Sequence, residues 1–391
     1  MKGGRRALVL ISIGAAFACL LGVASLKALP ADASAQAAPG GQEAAAPLVT
    51  EKLFRNIQVL KGMPIDTFFD AMGMFAASMG DDCTYCHSKD AVFRHEAFGD
   101  ATPRIQKARQ MIVMMQALNK QYFGGQPRVT CFTCHRGNYS PVNAPRLSLQ
   151  YGAPDDDPNV MDFPTNTRMG ADEIFDRYLK ALGGPGAPTK ITSLVAKGTY
   201  SGFDTGHAEV PVEIFAKAPN QRTWIIHMFN GDSYRVFDGR NGWFAGPDSP
   251  APLVTLASGN LDRARIEAAI AFPATIKSLY KEWRVGRTSI DEKDVSILQG
   301  TTPGLLPVNF YFDNNTGLLI RMVRWNETPV GPVPTEINYD DYRDVAGVKM
   351  PFTWTASQTY MQMTIKLSGI QPNAQVDAAR FVQPPPGNPK P

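Results

Sequence analysis

Apolar residues recur along this chain in two rhythms, and the change between them falls near residue 169. Between residues 51 and 136 the rhythm is helical. In "MPIDTFFDAMGMFAASMG", Phe68, Met72, Phe75 and Met79 fall on one helical stripe. "TPRIQKARQMIVMMQALNKQYF" opens with Thr102 as an N-cap and Pro103 at the first helical position. Its stripe holds Ala108, Met111, Met115, Leu118 and Tyr122. Each stripe stops at glycine, Gly80 and Gly124–Gly125. Beyond residue 169, after a short helix near 171–182, the period drops to two. Val210, Val212 and Ile214 alternate with polar positions in "EVPVEIF"; Met361, Met363, Ile365 and Leu367 do so in "MQMTIKL". "FDGRNGWF" and "FDNNTGLL" read as hairpins. A helix over roughly 260–283 interrupts the strands and should bend or break at Pro273. The pattern predicts a multidomain α + β chain. A helical N-terminal domain over 51–147 precedes a mainly antiparallel β domain over 169–385, with one apolar face and a few helices.

The segments between follow from composition. Lys2, Arg5 and Arg6 precede an apolar run from Ala7 to about Leu26, and "ADASAQ" follows. Residues 1–35 therefore read as a secretory signal, with small residues Ala33 and Ala35 marking a cleavage site. Left uncleaved, the run is almost long enough to anchor the protein in a membrane. A lipidated Cys19 is the poorer reading, because "AFAC" is followed by further apolar residues. Residues 36–50, rich in Ala, Pro and Gly, form a flexible linker, and 148–168 a second linker. Residues 386–391 end a Pro-rich tail expected to be disordered. Removing residues 1–35 leaves 35 basic and 35 acidic groups, so the mature chain offers no electrostatic ground for nucleic-acid binding.

Candidate chemistry concentrates in the helical half. "CTYCH" (83–87) recurs as "CFTCH" (131–135), and these motifs hold every cysteine except Cys19. C-x-x-C-H is the attachment signature of c-type haem. Cys83, Cys86, Cys131 and Cys134 would form the thioethers, and His87 and His135 would each bind an iron from one side. A zinc site or a thioredoxin-like pair would also use C-x-x-C. Zinc, however, does not require a histidine directly after both pairs, and the 44 residues between the pairs are many for a compact ribbon. Two covalently bound haem c groups are the reading taken. The other axial position decides function: a sixth protein ligand makes an electron carrier, and an open position invites small-molecule chemistry. Met63, Met72, Met74 and Met79 precede the first motif; Met111, Met114 and Met115 precede the second. Most must be core filler. Met72 is central on its stripe, with Gly73 beside it to admit the ring; Met111 and Met115 compete at the second site on spacing alone.

"CTYCH", "KARQMIVMMQALN" and "VTCFTCHRG" together resemble the cytochrome c subunit of photosynthetic reaction centres over about residues 55–137. The resemblance implies haems bound by a repeat of helix, turn and C-x-x-C-H, with a methionine of the preceding helix on each iron. It selects Met111, which follows Arg109 in the block, and places Met72 in the matching position of the first repeat, where helix-to-motif spacing differs. That family carries four haems, whereas two motifs stand here, so the chain is similar to its shorter two-haem relatives and a photosynthetic role does not follow. The C-terminal half, in "YDDYRDVAGVKMPFTWT" (339–355), resembles lipoprotein-carrier half-barrels, which can hold an acyl chain in a concave face. A docking or spacer role is the plainer alternative. His207 and His227, with no cysteine or paired carboxylates around them in sequence, read as structural.

The expected function is single-electron transfer between redox partner proteins by an exported dihaem cytochrome, periplasmic or at the cell surface of a bacterium. Methionine–histidine ligation would raise the potentials. Arg104, Lys107, Arg109 and Arg136 could offset haem propionate charge. The alternatives are a peroxidase-like or oxidase enzyme with one open haem, and a lipid- or quinone-binding module in which the C-terminal domain carries a hydrophobic ligand.

Overall fold

The computed structural model describes residues 46–92, 94–145, 147–152, 162–164, 169–247 and 249–387. The signal sequence expected over 1–35, most of the first linker and the last four residues of the tail lie outside the described residues.

The helical rhythm gives helix α1 (Ile65–Met79) and helix α2 (Pro103–Tyr122). Thr102 caps α2, its hydroxyl accepting from Ile105 N at 3.2 Å. Gly80 ends α1 in the left-handed region at φ 69°. A side chain there would also collide with the Gly137 carbonyl oxygen, so this position needs glycine twice over. The second motif forms a one-turn helix, α3 (Cys131–His135). Helix α4 (Ala171–Ala181) buries Ile174, Phe175 and Tyr178.

The alternating rhythm gives one antiparallel sheet of thirteen strands among the described residues. The first six are β1 (Ser193–Gly202), β2 (Val210–Lys217), β3 (Gln221–Met228), β4 (Gly231–Phe237), β5 (Gly242–Ala245) and β6 (Leu253–Thr255). They step outward from the centre to one edge. Helix α5 (Ser258–Ile270) then carries the chain to the opposite edge. There β7 (Glu282–Ile290), β8 (Lys293–Thr301), β9 (Val308–Asp313), β10 (Leu319–Thr328), β11 (Gly331–Val345), β12 (Val348–Gln358) and β13 (Gln362–Pro372) step back. The last of them pairs with β1. Both expected hairpins form. Asp238 Oδ1 accepts from the Arg240 and Asn241 amides in the β4–β5 turn, and Asp313 Oδ1 from Asn315 and Thr316 in the β9–β10 turn. Val210, Val212 and Ile214 point into the same core as Met363, Ile365 and Leu367, together with α4 and Ile266 of α5.

Three features refine the expected outline. The break expected at Pro273 forms: the helix stops at Ile270, and Pro273–Leu279 is a 3-10 segment before β7 begins at Glu282. Proline lacks an amide donor and disfavours helical backbone at the preceding residue, here Phe272. Gly387, placed in the expected disordered tail, donates to Pro252 O at 2.7 Å and lies against Gly246. Thirdly, α1 is docked into the β half. Asp66 Oδ2 accepts from Ala257 N (2.7 Å), and Asp70 Oδ2 accepts from Asn260 (2.8 Å) and Asn326 (2.5 Å). All three bonds join residues at least 190 positions apart in the sequence.

Candidate functional site

A C-x-x-C-H turn wound as helix brings its functional atoms to one side, because residues three and four apart are neighbours on a helix surface. Cys83 and Cys86 are three apart, and His87 is four from Cys83. The first motif takes this form as a tight 3-10 turn, Cys83–Tyr85, closed by Cys86 N and His87 N bonding Cys83 O. Asp82 caps it, accepting from Thr84 N at 2.7 Å. The second motif, α3, has a reciprocal cap: Thr130 Oγ1 accepts from Thr133 N, and Thr133 Oγ1 from Thr130 N. Asn119 of α2 holds the approach to it, donating to Val129 O (2.7 Å) and accepting from Val129 N (2.9 Å).

The motifs are neighbours. Tyr85 stacks on Tyr139 at 4.7 Å between ring centroids, and Tyr139 Oη donates to Asp81 at 2.8 Å. Arg104 covers the other side of Tyr85, 4.1 Å from its centroid, and donates to its carbonyl. Gly137 N bonds Ser78 O, fixing the end of the second motif to the last turn of α1.

One cavity of about 770 Å³ runs between the helices and the sheet. All eight residues singled out in the sequence line it: Cys83, Cys86, His87, Met72, Cys131, Cys134, His135 and Met111. The apolar stripe of α1, with Phe68, Met72, Phe75 and Met79, faces this cavity. The opposite side of α1 is buried through Ala71, Gly73, Met74 and Ser78. The methionines therefore separate. Met63, Met74 and Met115 are packed in a small core with Ile112, Val330 and Val333, Met115 at its edge where the cavity begins. Met72 and Met79 of α1 and Met111 and Met114 of α2 line the cavity with less burial. Gly73 lines the cavity, and its smallness also serves contact with the sheet, since a side chain there would meet Thr359 and Tyr360.

The donor set fits covalent haem. His135 Nδ1 lies 3.0 Å from the Asn138 carbonyl oxygen, which takes the N–H and leaves Nε2 with its lone pair free to ligate. His87 Nδ1 is buried without a well-formed hydrogen bond. Burial lowers the His87 pKa, outweighing the opposing effect of the Phe98 backbone. Burial likewise raises the Cys83 and Cys86 thiols and pushes Cys131 up to about 11. Among the described residues no three His, Cys, Asp or Glu side chains converge as a metal-binding group, and all four cysteines are unpaired.

Residues 19–149 match the family model described as the photosynthetic reaction centre cytochrome C subunit.

The match spans both motifs, α1 and α2, about a third of the chain. It marks this segment as cytochrome c-like, with electron transfer as the role and c-type haem as the cofactor. Solved structures similar to the chain lie over its C-terminal part. A LolA superfamily protein from Nitrosomonas europaea shares 13% identity at a TM-score of 0.39, covering 55% of this chain and 98% of that one. A putative outer membrane lipoprotein-sorting protein domain from Vibrio parahaemolyticus shares 8% identity at a TM-score of 0.35, covering 54% and 94%. A DUF1329 family protein from Desulfovibrio piger shares 11% at 0.35, covering 54% and 96%.

The basic residues of the cytochrome c-like segment divide. Arg104, Lys107 and Arg109 line the cavity. Arg136, expected to join them, instead adopts left-handed backbone at φ 51° as the C-cap of α3 and is absent from the lining. His227 pairs with Asp232 (3.0 Å) in the sheet, away from the cavity lining. The sequence reading passed over Arg222, Arg235 and Arg263, which also line the cavity. A signal was present: Arg222 shares strand parity with Trp224 and Ile226, so a charge stands on an apolar face.

Proposed function

We propose that the protein is an exported dihaem c-type cytochrome that passes single electrons between redox partners. The observation that carries this reading is the convergence of both C-x-x-C-H motifs, Met72 and Met111 on one cavity. When bound, each haem supplies a one-electron iron couple. The chain's own groups do the rest. Cys83 and Cys86 would hold one ring, and Cys131 and Cys134 the other. His87 and His135 would each bind an iron, His135 oriented by the Asn138 carbonyl. Met72 and Met111 would be the second protein ligands, and Phe68 and Phe75 present apolar walls on the α1 side. The Tyr85–Tyr139 stack holds the two motifs side by side. Export to a bacterial periplasm or cell surface follows from the N-terminal sequence pattern, and redox partner proteins of unspecified identity from the role.

The test is an intact mass together with a reduced-minus-oxidised spectrum of protein made in a host that matures c-type cytochromes. The expected result is a polypeptide heavier by two haems, low-spin in both oxidation states, with no carbon monoxide adduct. A mass without haem overturns the reading. A prompt carbon monoxide adduct in wild-type protein would instead favour the enzyme alternative, with an open site.

A further inference from the structure

On the sheet side, the cavity floor gathers three arginines from three elements: Arg222 on β3, Arg235 on β4 and Arg263 on α5. Their positions converge. The guanidinium carbons of Arg222 and Arg235 lie 4.8 and 5.7 Å from the Trp224 ring centroid, and Arg235 is 5.9 Å from Phe244. Arg263 sits one helical turn before Glu267 and bonds it through Nε at 2.5 Å.

Each arginine keeps a buried N–H without an acceptor: Arg222 Nε, Arg235 Nε and Arg263 Nη2. The Arg222 and Arg263 side chains are only 14% and 12% exposed, so bulk solvent does not reach them freely. The neighbouring carboxylates bond elsewhere, and none accepts from these three N–H groups. Glu267 is held by Arg263, with Arg222 at 4.0 Å. Both Asp204 oxygens accept from Tyr200 Oη (2.7 and 2.9 Å). Asp70 is taken by Asn260 and Asn326, and Asp66 by the Ala257 and Thr67 amides. What remains on the floor is cationic donor capacity surrounded by Trp224, Trp243 and Phe244. Buried guanidinium N–H groups select an anion, and planar forks favour carboxylate geometry.

We propose that Arg222, Arg235 and Arg263 form a binding site for the carboxylate of an amphipathic ligand whose apolar body lies along the cavity. Two sources carry this chemistry: a propionate of the haem tethered at Cys83 and Cys86, or a free long-chain acid. Only the first rests on the dihaem reading. Tyr360 lines the cavity together with Cys83 and with the three arginines.

The experiment titrates the full-length, haem-loaded protein calorimetrically with dodecanoate and with dodecan-1-ol, both below their aggregation limits. Haem content and both midpoint potentials are measured on the same samples. For a free acid, dodecanoate binds, the alcohol binds at least about tenfold more weakly, and Arg235→Gln or Arg263→Gln weakens dodecanoate about tenfold. Arg235 makes no ion pair among the described residues, so Arg235→Gln should fold even if Arg263→Gln does not. For a haem propionate, dodecanoate fails to bind, and Arg235→Gln lowers one midpoint potential because a positive charge that favoured the reduced iron is gone. The proposal is overturned if acid and alcohol bind alike, or if dodecanoate fails to bind and neither potential moves. A sample without haem defeats the dihaem reading alone, and the dodecanoate comparison still decides the arginine site.

Discussion

Met111 and Met115 are four residues apart on α2 and fell on the same stripe in the sequence, yet they occupy different environments. Both reach the cavity lining, but Met115 is 4% exposed and packed in the core that joins α1, α2 and the start of β11, whereas Met111 is only half-buried and lies outside that core. Their alanine variants should therefore fail differently. Met115→Ala should cost about 2–5 kcal/mol in denaturant unfolding and leave the spectrum low-spin. Met111→Ala should leave stability nearly unchanged and the haem attached, while turning one haem high-spin and able to bind carbon monoxide. A spectral change confined to Met115→Ala would reverse the ligand assignment. Asp66 offers a test of a different kind. Burial pushes its carboxyl from an ordinary 3.8 up to about 6, the Asp70 charge adds to this, and amide hydrogen bonds from Ala257 and Thr67 oppose it. A raised folded-state pKa means that the native form holds the proton more tightly. The associated stability is complete below about pH 3.8 and is lost as pH rises to about 6, in total of order 3 kcal/mol. The melting-temperature difference between wild type and Asp66→Asn should thus change across that window and be flat above it. Parallel curves from pH 4 to 7 would show that Asp66 titrates normally.

At the scale of the element, α1 works on two faces. One presents Phe68, Met72, Phe75 and Met79 to the cavity; the other meets the sheet through Asp66, Asp70 and Gly73, at the cavity's margin, and through the buried Met74. Amphipathic reasoning assigns the apolar stripe to the core and the polar side to water, and here that assignment is inverted. The carboxylates are buried because Ala257, Asn260 and Asn326 supply donors, and the aromatic stripe lines a space fitted to a large apolar cofactor. Gly73 is the point of closest approach, where an added Cβ would lie 2.4 Å from both Thr359 Oγ1 and Tyr360 Cδ1. Gly73→Ala should therefore destabilise by about 1–3 kcal/mol despite alanine's higher helix propensity. Chemical denaturation would measure this, and a neutral or stabilising result would mean that α1 is not seated against the β12–β13 turn.

For the whole molecule, the consequence of that seating is shared stability. The cytochrome c-like segment and the sheet are joined by buried hydrogen bonds and by the contact of Gly331 with Thr130 and Met74. An independent pair of domains would meet through a smaller, wetter surface. Thermal unfolding followed by haem absorbance and by far-ultraviolet circular dichroism should then give coincident midpoints. Transitions separated by more than a few degrees would show two independently folding units on either side of residues 148–168.

Local chemistry is what the sequence determined unaided. Cys-x-x-Cys-His needs no tertiary contact to place its sulfurs and imidazole on one side of a turn, so Cys83–His87 and Cys131–His135 were legible directly. So were the strands, because period two reports a sheet with one buried face wherever it is folded. The family match over 19–149 covers the segment read as cytochrome-like. Other features arise from residues far apart in the chain. The inward carboxylates of α1 look like solvent-facing residues until Asn260 and Asn326 are brought beside them. The three arginines look like isolated charges, two on strands and one on a helix, until β3, β4 and α5 are packed together. How deeply each methionine is buried is also a tertiary outcome, since Met111 and Met115 share a stripe and differ only in what packs against them. Periodicity ranks the faces of a helix by polarity, but only the folded chain decides which face meets a partner, because that depends on donors and space contributed from more than a hundred residues away.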